Sequence, residues 1–158
     1  MYSILDKRDK SNFMTGYGFN IKMWDIDCLC ISDKSKVEFI KNHGVSILKE
    51  NDVYDKYLKA SNSEKIDIID ALVVDEQRGF WAVFASVVTN ETGCLICYAP
   101  DDYSSDTFII IPYGAPWSYN DKEKEAFATP ESTREFFKPW FEELGIEEPV
   151  LLNTISLR

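Results

Sequence analysis

Apolar and polar residues alternate from Tyr17 to Ile31, the period of a half-buried strand, but the phase changes partway. Tyr17, Phe19, Ile21 and Met23 share one parity, and Trp24, Ile26, Cys28 and Cys30 share the other. A β-bulge, a bend or a break into two short strands is therefore expected at Met23–Trp24. The preceding residues 1–16 are polar and predict an irregular segment.

Helical periods follow. Ser35-x-x-Glu38 has the form of a capping box and predicts a short helix ending near His43-Gly44, with Gly44 in a left-handed terminal position. Asp52 to Leu58 predicts another helical turn or two. Ser61-x-x-Glu64 opens a second boxed helix, with Ile66, Ile69, Leu72 and Val73 along one stripe.

The run from Phe80 to Val88 is apolar on both parities and rich in β-branched and aromatic residues, which suits a central strand covered on both faces. Asn90-Glu91-Thr92-Gly93 then reads as a turn, Cys94 to Tyr98 as the returning strand, and Thr107 to Pro112 as a third. Thr129-Pro130-Glu131 begins the last helix, whose stripe is Phe137, Trp140, Phe141 and Leu144 and which Gly145 ends. Pro139 predicts a kink or two abutting helices. Val150 to Ile155 reads as a final strand. The expected architecture is one α+β domain over residues 1–158, with helices packed on a mainly antiparallel sheet built around a central meander.

Composition narrows the function classes. In 158 residues, 45% are hydrophobic and 28% charged, which is the make-up of a folded chain. The longest apolar run is far shorter than a membrane-crossing helix, and the N-terminal stretch with Asp6, Lys7, Arg8, Asp9 and Lys10 lacks the apolar core of a signal peptide. The expectation is a cytoplasmic protein without membrane contact. The net charge of −10 disfavours nucleic acid as a partner. The charge is also uneven: residues 80–158 carry 13 acidic and 5 basic side chains, whereas residues 1–79 carry 14 and 12.

Cys28-x-Cys30 and Cys94-x-x-Cys97 could in principle supply four thiolates to zinc. On a strand, however, Cys94 and Cys97 would face opposite sides, and the neighbours Ile26, Leu29, Ile31, Leu95 and Ile96 are apolar. All four are expected to be core cysteines, with neither metal nor cofactor. His43 is the only imidazole, and a place near a helix C-terminus explains it through the macrodipole without catalysis. Gly16-Tyr-Gly18 lacks the third glycine of a dinucleotide fingerprint and the lysine of a P-loop. No catalytic residue is assigned.

The most informative stretch runs from Tyr98 to Glu125, where Tyr98, Tyr103, Phe108, Tyr113, Trp117 and Tyr119 are interleaved with Asp101, Asp102, Asp106, Asp121, Glu123 and Glu125. Aromatic anchors ringed by charge are the make-up of a protein interface, and carboxylates steer a basic partner toward it. The expected partner-binding residues are Asp101, Asp102, Tyr103, Asp106, Trp117, Tyr119, Asp121 and Glu123. A further acidic cluster, Glu142, Glu143, Glu147 and Glu148, follows the stripe of the last helix.

In size, charge and layout over the whole chain, the sequence resembles bacterial toxin-immunity proteins of the contact-dependent inhibition and polymorphic toxin systems. The segment from Thr129 to Leu144 is similar to the closing helix of one group of them. The resemblance implies neutralisation by binding: a basic, nuclease-like toxin held by the acidic residues and anchored on Tyr103, Trp117 and Tyr119, with its working surface covered. Two other classes fit the same acidity. A small glycosidase-like hydrolase would need two close carboxylates, one with a raised pKa; Asp25 and Asp27, or the aspartates beside the aromatic loops, are the candidates. An acidic DNA mimic or phage-defence adaptor would need a continuous ridge of carboxylates.

Overall fold

A computed structural model describes residues 17–21, 29–101, 104–112, 118–147 and 149–153, the side chains of 20, 97–101, 104–112, 152 and 153 excepted. Its elements run in the order β1 (Tyr17–Asn20), α1 (Asp33–His43), α2 (Val45–Glu50), α3 (Tyr54–Lys59), α4 (Asn62–Ala71), β2 (Val73–Val74), β3 (Gln77–Arg78), α5 (Phe80–Thr92), β4 (Ile96–Asp101), β5 (Ser104–Pro112), α6 (Asp121–Ala126), α7 (Pro130–Glu143) and β6 (Leu152–Asn153).

Helix dominates the described residues, and that overturns the expected sheet-centred α+β fold with a central meander. The decisive segment is Phe80–Thr92, which is the core helix α5 and not a strand. A continuous apolar run fits a fully buried helix as well as a fully buried strand, so periodicity alone cannot separate them. Glycine does. Gly79 at φ +100° precedes the helix and Gly93 at φ +77° closes it, both backbone conformations that side-chain-bearing residues resist. The expected turn at Asn90–Gly93 is thus the last turn of α5 and its cap. Cys94 and Leu95 precede the strand, which starts at Ile96.

What remains of the meander is the two-stranded antiparallel hairpin β4–β5, with Ile96 opposite Pro112 and Tyr98 opposite Ile110. Short β1 pairs with β5 through Phe19 and Ile110, and β6 pairs with β1 through Tyr17 and Asn153, giving the strand order β4-β5-β1-β6. The expected phase change at Met23–Trp24 lies outside the described residues, as do 1–16 and 154–155.

The helices begin and end for local reasons. At α1 the cap is Ser32, three residues earlier than expected: its Oγ accepts from the Ser35 amide at 3.1 Å. Gly44 is not left-handed (φ −102°); a Cβ there would lie 3.0 Å from Ile40 Cδ1 and 3.2 Å from Ile40 Cα, so the position is tight against the last turn of α1. Ser61 caps α4 as expected, accepting from the Glu64 amide and donating to its carboxylate. Helix α7 is one helix through Pro139, which removes the second of the two expected alternatives, a kink or two abutting helices. It closes with the Gly145 amide on Glu142 O and the Ile146 amide on Phe141 O, the paired bonds of a Schellman motif.

The core is aromatic and centred on α5. Phe84 stacks on Phe141 of α7 and lies 5.5 Å from Phe39 of α1, while Phe19 of β1 meets Phe137 and Phe141 edge-on at 5.2 and 4.8 Å. Asn51, after α2, reaches across to β2, where its side-chain amide both accepts from Val73 N and donates to Val73 O. Of the four cysteines, Cys94 is buried but Cys30 is exposed, so the expectation of four core cysteines fails at Cys30. Cys28 and the Cys97 side chain lie outside the description.

Candidate functional site

The aromatic–acidic stretch divides sharply. Asp101 ends β4 opposite Ser104 and Asp106 lies within β5. Their side chains, together with Asp102, Tyr103 and Trp117, are outside the described residues. Three of the expected partner-binding side chains are described, and they have three different fates.

Glu123 is a structural pin, not a partner-facing acid. It is 0% exposed. Its Oε1 accepts from the Asn120 amide and its Oε2 from the Leu95 amide, both at 2.8 Å, while Asn120 Oδ1 accepts from the Glu123 amide in return. Asn120 Nδ2 adds a bond to Gly93 O. This capping box therefore fastens the start of α6 to the segment between α5 and β4. Tyr119 is also buried, with its ring edge-on to Phe127, and so corrects a second expectation. Asp121, in the first turn of α6, is exposed, where its charge also favours the helix start.

A different surface has the form of a binding site. Helix α7 buries Phe137 and Phe141 and turns Glu131, Arg134, Glu135, Lys138 and Glu142 outward. Beside it lies a groove of about 600 Å³. Half-buried Ile146 and Pro149 supply its accessible apolar surface, over Phe19 and Phe141, which are buried beneath it; Arg134, Glu135, Lys138, Glu142 and Glu147 supply the charged part. The Schellman turn shapes one end by folding Ile146 back toward Phe141. An apolar seat with a few charged groups on its rim is the ordinary form of a recognition site. The sequence signal was the acidic cluster after the helical stripe, but the apolar floor required knowing that β1 lies against α7.

His43 ends α1 and is held from both sides. Its Nδ1 lies 3.1 Å from Glu91 Oε1 of α5, and its Nε2 lies 2.8 Å from Glu143 Oε1 of α7. Asn42 Nδ2 donates to the same Glu143 carboxylate, and the imidazole packs against the rings of Phe39 and Trp140, which also meet each other. With both nitrogens facing carboxylates, neither is left to activate a nucleophile. Among the described residues, no group of three His, Cys, Asp or Glu side chains is arranged to hold a metal ion.

Compared with protein-family models, curated proteins and solved structures, the chain matches none. No helix among the described residues is long and apolar enough to cross a membrane.

Proposed function

We propose that this chain is a cytoplasmic binding protein that neutralises a basic protein toxin by covering its working surface, the immunity role its sequence resembles. The observation that carries the reading is the groove beside α7: the partly exposed apolar surface of Ile146 and Pro149 to meet an anchoring side chain, with Glu135, Glu142 and Glu147 on the rim. Glu131 on α7 and Asp121 and Glu125 on α6 are exposed as well. Arg134 and Lys138 on the same rim add register, since like charges on a wrongly seated partner would be repelled. The chain contributes shape and charge, and no chemistry of its own.

The test is co-expression with the C-terminal domain of the protein encoded immediately upstream. Growth arrest by that domain alone, relief by this chain, and a stoichiometric complex of the two are the expected results. Arrest in both cases, with no complex, would overturn the reading.

A further inference from the structure

We propose that His43 is a proton-dependent latch that holds the C-terminal ends of α1, α5 and α7 together. Three helices end around this one ring: α1 at His43 itself, α5 at Thr92 and α7 at Glu143. Each helix end carries a partial negative charge, and Glu91 and Glu143 add two full ones in the last turns of α5 and α7. Acidic residues are unfavourable at such positions unless a cation meets them. Among the described residues, the charged groups that face the ring are Glu91 from α5 and Glu143 from α7; α1 contributes Phe39 and neutral Asn42, and α7 also contributes Trp140. Lys41, in the same last turn of α1, is exposed.

Hydrogen-bond counting makes the device sensitive to one proton. An ionised carboxylate only accepts, so contacts at both Nδ1 and Nε2 are satisfied together only when both nitrogens carry hydrogen. After one proton leaves, a ring lone pair faces a carboxylate oxygen. One of the two bonds is then lost, and the cation that offsets the helix ends goes with it. The seam between the ends of α5 and α7, which lies over Phe39 and Trp140, loosens. The side-chain exposures of His43, Glu91 and Glu143 (19%, 48% and 30%) leave room for the proton to exchange with solvent. The latch stands independently of the toxin-binding reading.

Because the chain has one histidine, its imidazole resonances are unambiguous. The experiment follows them in the ¹⁵N-labelled full chain from about pH 5 to 9, together with the backbone amides of Thr92, Gly93, Gly145 and Ile146. Those amides are expected to shift with the same midpoint as the ring, although they lie far from it in sequence. Exchange of the Gly145 and Ile146 amides, corrected for intrinsic pH dependence, is expected to speed up about fivefold as the ring loses its proton. A Glu143→Gln variant, whose amide can donate as well as accept, should uncouple the α7 amides from the ring while leaving the fold intact. Amides that ignore the ring in the parent, or that follow it equally in Glu143→Gln and in a matching Glu91→Gln variant, would overturn the latch.

Discussion

At the scale of single residues, burial decides the sign of an effect more than chemical type does. Tyr57 on α3 is 5% exposed, and its hydroxyl finds no hydrogen-bond partner among the described residues. A buried unsatisfied hydroxyl costs stability, so Tyr57→Phe is expected to stabilise the chain by about 1 kcal/mol in urea melts at neutral pH. Burial, and secondarily the nearby Glu38 carboxylate, raises the pKa of this phenol above its ordinary value. Above that ordinary value the unfolded chain sheds the proton first, so the stability tied to Tyr57 is full below about pH 10 and falls as pH rises through that range. The parent should therefore lose more stability between pH 8 and 11 than Tyr57→Phe does, the other tyrosines being common to both. Equal losses would remove Tyr57 from the alkaline limb. Glu123 shows the opposite case: Glu123→Ala strips two backbone amides of their acceptor and should cost about 3 kcal/mol by the same melts. Its role was legible, since Asn120-x-x-Glu123 is a capping-box spacing, but it lay inside a stretch so acidic that each carboxylate could be read as surface.

At the scale of elements, boundaries written in caps were easier to read than element types written in hydrophobicity. Ser61 and Thr129 start α4 and α7 as the sequence predicts, whereas α5 reads as a strand because the eight apolar residues among Phe80–Val88 carry no helical stripe. A helix buried on all sides has no polar face to reveal its period. The small hairpin β2–β3 went unread for a related reason. Its turn, Asp75-Glu76, holds both residues at positive φ (50° and 67°), a conformation for which the usual signal is Asn-Gly or Asp-Gly. Glutamate resists that conformation, and Glu76→Gly should relieve it; after the larger unfolded-state entropy of glycine, about 0.5 kcal/mol of net stabilisation is expected in thermal or urea unfolding. An unchanged or lower stability would show that the turn carries no strain at Glu76.

At the scale of the whole molecule, a net charge of −10 acts on any basic partner before contact, wherever the charges sit. A slower encounter after removing carboxylates is therefore not evidence for a particular surface, and the test of the α7 groove must separate field from site. Glu135→Lys, Glu142→Lys and Glu147→Lys together remove more than half of the net charge and do so on the groove rim. Glu64→Lys, Asp67→Lys and Asp70→Lys make the same change on exposed positions of α4. Both triple variants should slow association with the toxin domain at low salt, because both weaken long-range steering. If the groove is where the partner sits, the rim variant should be slower than the α4 variant by about tenfold, and part of that gap should persist when salt screens the rest. Dissociation should quicken in the rim variant alone, since only there do reversed charges touch the bound partner. Equal slowing by the two variants, with unchanged dissociation in both, would assign the carboxylates to the general field of the molecule and leave α7 with no special claim on the partner.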